Sequence, residues 1–234
     1  MGIFVLVPGA CHGSWCYSRV AERLRRLGHD VFAPPLTGVG ELAHLCTNGV
    51  NLSTHIDDVT ALIESHSLVD VVLCGHSYGG MVITGVAGRI GDRIRSLVYL
   101  DGLVPEDGQS SFDIIGADRA MALIRDAGAN GLAVEPPDAT LFNVNPADLD
   151  WVNAKCTPQP IGTLIQRLHF TGKEALVANR TFIVATRYRS SANHNTYDRL
   201  RETAGWKTAS IDSGHDMMID APEALAGLLV EELN

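Results

Sequence analysis

The sequence predicts an α/β fold built on a mostly parallel sheet with helices on both faces. Three observations predict it. Short β-rich runs alternate with helical patterns over most of the 234 residues. The strongest runs are apolar at consecutive positions, as strands covered on both faces must be. The alternation breaks once, between residues 105 and 178, as an insertion at one end of the sheet would make it. The expected organisation is a single domain: a core of residues 1–104 and 179–234, with 105–178 inserted as a small helical cap.

Taken in order, Ile3 to Val7 is the first strand. Trp15 to Leu27 carries Val20, Leu24 and Leu27 at helical spacing and stops at Gly28. Asp30 to Ala33 is a second strand, ended by Pro34-Pro35, and residues 36–52 are Gly-rich and irregular. A helix follows, with Ser53 or Thr54 as its cap and Ile56, Val59 and Ile63 on one face. Val69 to Cys74 is a strongly apolar strand, Tyr78 to Arg89 a helix, and Ile94 to Leu100 another strand. The insertion holds two or three helical patterns, such as Asp118 to Ala127, among Pro-rich loops. The rhythm resumes with strand Thr181 to Ala185, a helix near Tyr197 to Thr203 and strand Lys207 to Ile211. A last helix begins at Pro222, with Leu225, Leu228, Leu229 and Leu233 on one face.

The net charge of -9 argues against nucleic acid or an anionic membrane as a partner. The densest basic run, Arg23 to Arg26, reads as the solvated face of a helix. Five scattered cysteines without a CxxC pair argue against a zinc site or a disulfide framework, so reduced thiols in a cytoplasm are expected. "MGIFVLVPGACHG" lacks a basic leader, and its apolar run is only five residues long before Pro8. That suits a buried strand better than an export signal. No segment approaches the roughly 20 apolar residues that span a bilayer.

"VDVVLCGHSYGGM" carries the chemistry. Gly75-His76-Ser77-Tyr78-Gly79 matches G-x-S-x-G between a strong strand and a helix, the context in which the motif has meaning. The chain must reverse sharply there and leave Ser77 strained at the apex, and the two glycines let strand and helix approach. A serine needs a base. Of nine histidines, His215 in "IDSGHDMM" follows the last strand, where the order Ser, acid, His places the base. His12 lies in the first loop, and His76 is expected to point away from the nucleophile. His29, His44, His55, His66, His169 and His194 are expected in surface, loop or cap positions. Oxyanion donors are expected from the backbone N–H of Tyr78 and from that of Ala10 in "PGACHGSW".

"FVLVPGACHGSWCY", "GHSYGG" and "SGHDMM" together resemble the α/β-hydrolase superfamily, and especially its branch of plant methylesterases, hydroxynitrile lyases and bacterial esterases. The similarity runs from the first strand to the last helix and is weakest in the cap. It implies an α/β-hydrolase fold. It also implies a triad acid just past the strand Thr181 to Ala185, yet "TRYRSS" at 186–191 contains no carboxylate. Asp198 is too far along, and Asp212 and Asp216 are too close in sequence to His215. Asp101 in "VYLDG" ends the strand after the nucleophile strand, at the same crevice. The resembling bacterial esterases often read "YLDA" there. Asp101 is therefore the expected acid, with Glu106 and Asp107 behind it and a Ser–His dyad as the alternative.

The implied activity is hydrolysis of small to medium apolar or aromatic carboxylic esters through an acyl-enzyme, without metal or organic cofactor. Cyanohydrin cleavage fits less well. The lyases carry lysine after the histidine where this chain has Asp216, and threonine where it has Gly9. A non-enzymatic small-ligand receptor is the third reading. Leu123, Phe142, Trp151, Leu164 and Phe170 are candidates for an apolar pocket or for the core of the cap. Arg187, Tyr188 and Arg189 are candidates for shaping the crevice. A homodimer is left open.

Overall fold

The computed structural model describes residues 1–127, 132–188 and 190–234. Six strands form one sheet: β1 (Ile3–Val7), β2 (Asp30–Phe32), β3 (Val71–His76), β4 (Ile94–Leu100), β7 (Asn179–Ala185) and β8 (Trp206–Ile211). Their order is β2-β1-β3-β4-β7-β8, and every neighbouring pair is parallel. The short β5 (Ala133–Val134) and β6 (Gln159–Pro160) pair antiparallel, apart from the main sheet.

Consecutive residues of the central strands feed opposite faces, which is why their buried stretches are apolar at successive positions. Val5, Leu73, Leu97, Tyr99 and Phe182 pack on one side with α2 (Leu52–Ser65) and α3 (Gly79–Ile90). Phe4, Leu6, Val72, Val98 and Ile183 pack on the other with α1 (Ser18–Arg26), α9 (Met217–Asp220) and α10 (Pro222–Glu231). Between β4 and β7 the chain forms α4 (Ser111–Ile115), α5 (Ala117–Asp126), α6 (Leu149–Lys155) and α7 (Ile161–Ile165). Among the described residues, no helix is long and apolar enough to cross a membrane.

Several expected boundaries move. The helix expected from Trp15 opens as a 3-10 turn over Ser14–Tyr17 before α1. Helix α2 is capped by Asn51 and not by Ser53 or Thr54. Asn51 Oδ1 accepts from Thr54 N at 3.1 Å, and Thr54 Oγ1 accepts from Asn51 N at 3.2 Å. This reciprocal box begins the helix early enough to bury Leu52. Val69 is exposed and precedes β3, which continues instead to His76. The helix expected near Tyr197 is α8 (Ser191–Arg201), several residues earlier.

Candidate active site

Ser77 occupies the turn between β3 and α3 with φ of 50°, in the left-handed region that a side chain rarely tolerates. The surrounding backbone enforces it. Ser77 N donates to Leu100 O at 3.0 Å, and Ser77 O accepts from Gly80 N at 3.0 Å and Leu103 N at 2.9 Å. A Cβ on Gly75 would lie 2.5 Å from Gly79 O, so strand and helix close on each other only without one. A Cβ on Gly9 would lie 3.1 Å from Ser77 Cβ, so the loop after β1 runs directly beside the serine.

His215 follows β8, with its N–H donating to Phe142 O at 2.8 Å. Its ring lies against those of Phe142, Tyr188 and His76, at centroid distances of 5.3, 4.6 and 4.5 Å. Its Nδ1 is 2.6 Å from Asp101 Oδ2. Asp101 is buried just past β4. Its N–H donates to Ile183 O at 2.7 Å, and its carbonyl accepts from Asn193 Nδ2 at 3.0 Å. The other candidate acids lie elsewhere. Glu106 and Asp107 are exposed, and Asp107 Oδ1 accepts from Phe170 N at 2.8 Å. Asp198 faces solvent on α8 beside Arg201.

The orientation of two peptide groups follows from their carbonyls. Gly9 O accepts from His12 N at 3.3 Å, and Ser77 O accepts the two bonds given above. In a trans peptide the N–H points opposite to the C=O, so Ala10 N–H and Tyr78 N–H point away from those partners. Ala10, Ser77, Tyr78, Asp101 and His215 all line one cavity of about 580 Å³. The Tyr78 ring is held in turn by His55. This histidine is fully buried, against the expectation of a surface or loop position. Its Nε2–H donates to Thr37 O at 2.8 Å, which leaves Nδ1 to accept the Tyr78 hydroxyl at 3.0 Å. Burial keeps the His55 pKa below the ordinary value despite the Thr37 bond and the nearby charge of Asp58.

Of the expected wall residues, Leu123, Phe142 and Leu164 line the cavity. Trp151 instead packs edge-on to Trp15 at 5.0 Å, with the Arg19 guanidinium 5.4 Å from its ring centroid. Phe170 is exposed. Tyr188 lines the cavity, whereas Arg187 turns toward Asp212 and Asp220. Arg189 lies outside the described residues.

Sequence reasoning missed Asn193, which had no signal beyond its place past β7. It also missed a second buried pair. His12 Nε2 lies 3.1 Å from Asp216 Oδ2, and both side chains are buried. Burial opposes the His12 charge, but Asp216 outweighs it and raises the imidazole well above its ordinary pKa. Burial likewise opposes the Asp216 charge, and His12 more than compensates, holding that carboxyl below the ordinary carboxylate range. His76 stays neutral, its pKa lowered by burial and by His215, and its Nε2–H donates to His215 O at 3.1 Å.

The chain is similar to several known proteins. A carbendazim hydrolyzing esterase of Nocardioides sp. (strain SG-4G) is 44% identical over 239 residues, covering 97% of each chain. Methylesterase 2 of Arabidopsis thaliana is 31% identical over 118 residues, 46% of this chain and 41% of that protein. An extracellular alpha/beta-hydrolase from a Paenibacillus species, described as homologous in structure and function to tobacco salicylic acid binding protein 2, superposes with a TM-score of 0.87. It is 25% identical, with 99% of each chain covered. The model of the alpha/beta hydrolase family matches residues 4–228, and this chain belongs to that family.

Proposed function

We propose that this chain is a serine esterase in which Ser77 is the nucleophile, His215 the base and Asp101 the orienting carboxylate. Tyr78 and Ala10 supply the oxyanion N–H groups. The observation that carries this reading is the 2.6 Å contact between His215 Nδ1 and Asp101 Oδ2, in the cavity onto which Ser77 opens. A carboxylate there accepts the hydrogen bond from Nδ1–H, which keeps the proton on Nδ1 and leaves Nε2 free to accept the Ser77 proton.

Ser77 Oγ attacks the ester carbonyl carbon while His215 Nε2 takes the hydroxyl proton. The negative charge that develops on the carbonyl oxygen meets the two N–H donors. Collapse breaks the bond to the alcohol oxygen, which leaves with the proton from His215. Water then repeats the sequence on the acyl-enzyme and frees the acid and Ser77.

The substrates we propose are small to medium apolar or aromatic esters. Their support is a cavity of ordinary ligand size walled by Leu103, Leu123, Val134, Phe142 and Leu164. Because the Nocardioides relative is a carbendazim hydrolyzing esterase, carbendazim belongs in the first screen. Residues 105–178 serve as an inserted cap on the core of 1–104 and 179–234, since much of the wall comes from them. A cytoplasmic location belongs to the same proposal and rests on the five cysteines without disulfide spacing. Cyanohydrin cleavage is disfavoured because the position after His215, where the resembling lyases carry lysine, holds Asp216, whose carboxylate is buried against His12 and supplies no cation for departing cyanide.

The test is turnover of p-nitrophenyl acetate by the wild type and by Ser77→Ala. The expected loss is about 10⁴-fold or more in kcat. Equal rates would reject catalysis at this site and leave ligand binding as the function of the scaffold.

A further inference from the structure

We propose that His12 and Asp216 are a positioning pair that clamps the oxyanion loop to the turn carrying the base. The proposal rests on the esterase reading above. It concerns two residues outside the triad: Asp216 is buried behind the cavity, and His12 reaches its wall while both ring nitrogens are held by Ala10 O and Asp216.

Both ring nitrogens of His12 face acceptors. Nδ1 lies 2.8 Å from Ala10 O, and Nε2 lies 3.1 Å from Asp216 Oδ2. A carbonyl and a carboxylate can only accept, so both nitrogens carry hydrogen and the ring is an imidazolium. The backbone N–H of the same residue donates to Gly9 O. One residue thus fixes the carbonyls on both sides of Ala10, and with them the plane of the peptide whose N–H is the proposed oxyanion donor. Cys11 continues the restraint, its N–H donating to Gln159 Oε1 at 2.9 Å and its carbonyl accepting from Thr157 N at 3.0 Å.

Asp216 supplies the other end. It directly follows His215, and 204 residues of sequence separate it from His12. The pair therefore joins the loop after β1 to the turn after β8, the two segments that hold donor and base. The surroundings leave few alternatives to this pairing. His76 Nε2 is 3.6 Å from Asp216 Oδ1 but donates to His215 O, and Cys156 Sγ is 3.9 Å from His12 Nε2. Trp15 stacks on the His12 ring at 5.3 Å and holds its plane. An oxyanion donor acts through sub-ångström placement, so loosening this clamp costs transition-state stabilisation more than substrate binding.

The test uses Asp216→Asn, His12→Ala and His12→Asn in the full-length enzyme. Each variant is first checked for a cooperative thermal transition. Steady-state kinetics with p-nitrophenyl acetate are then compared with inhibition by a trifluoromethyl ketone, whose oxygen becomes the oxyanion when Ser77 adds. The unreactive 4-nitroacetanilide reports ground-state binding. For Asp216→Asn and His12→Ala, kcat is expected to fall about 10²-fold, the cost of one oxyanion donor, with KM within about threefold. Affinity for the fluoroketone falls by the same factor, and affinity for the anilide holds. His12→Asn, which restores an N–H near the Nδ1 position, is expected to recover about tenfold over His12→Ala, on the scale of one hydrogen bond.

A folded Asp216→Asn with wild-type kcat overturns the proposal, as does a loss carried by KM or one the fluoroketone does not follow. If His12→Ala does not fold, the near-isosteric Asp216→Asn decides alone. An inactive Ser77→Ala beside a fully active Asp216→Asn rejects the clamp only. A fully active Ser77→Ala rejects the esterase reading itself.

Discussion

Asp101 has a φ of 43°, one of six non-glycine residues, Ser77 among them, held at positive φ among the described residues. Such a conformation costs on the order of 1–3 kcal/mol and persists only where its neighbours over-determine it. Here they do, since the main chain is tied to Ile183 O on one side and to Asn193 Nδ2 on the other. The kinked backbone delivers the carboxylate to His215. Asp101→Asn keeps the shape but offers an N–H or a neutral oxygen to Nδ1, which favours the wrong tautomer. We expect kcat for p-nitrophenyl acetate to fall about 10⁴-fold in a folded protein, and a folded variant within tenfold of wild type would remove Asp101 from the triad. The contrast between Asp101 and Asn193 shows what residue type reveals. A carboxylate closing a strand beside the nucleophile strand is legible in "VYLDG". An asparagine in "SANHNT" is indistinguishable from its neighbour Asn195 until the fold brings it under Asp101.

At the scale of elements, legibility followed burial. Strand β1 is legible to its observed ends because its residues are apolar on both faces, β4 because Ile94 and the run Leu97 to Leu100 bracket Arg95 and Ser96, and β3 starts later than its sequence suggests because Val69 is apolar but exposed. Helix α8 was misplaced because its start, "SANHNT", is polar and offers no apolar period. The α2 cap was misread because Ser53 and Thr54 are themselves good caps, and only the backbone shows that Asn51 takes the position. That assignment makes a stability prediction. Asn51→Ala leaves Thr54 N without its acceptor and should cost about 1 kcal/mol, seen as a fall of about 2–4 °C in Tm for a chain of this size. Ser53→Ala, outside the box, should cost less. A larger effect at Ser53 than at Asn51 would refute the assignment.

For the whole molecule, the topology explains why distant residues converge. With β4 between β3 and β7, the segments after β3, β4 and β8 and the loop after β1 all open at the same edge of the sheet, and residues from 103 to 164 wall the cavity there. This inserted region is tied back to the core by charge. Arg19 of α1 reaches Asp148 with both terminal nitrogens, at 2.7 and 2.6 Å, and also donates to Ile219 O at 3.0 Å. Asn145 adds a bond from its Nδ2 to Asp148 Oδ2 at 2.6 Å. The Arg19 hydrogen bonds, aided by Asn145 and opposed by partial burial, depress the Asp148 pKa. A depressed carboxylate contributes stability that is present above its unfolded pKa of about 3.9 and is lost as pH falls through the folded value. Asp148→Asn should therefore lower the urea midpoint at pH 7 by an amount equivalent to about 1–2 kcal/mol, the low side for bonds to a charged group because Arg19 is half in solvent. The difference between variant and wild type should hold down to about pH 5 and shrink as pH falls below about 4, where the unfolded chain takes up the proton first and the folded carboxylate follows at its lower pKa. A gap that stays constant over that range would mean that Asp148 holds the cap by shape and neutral hydrogen bonds, with no contribution from its charge.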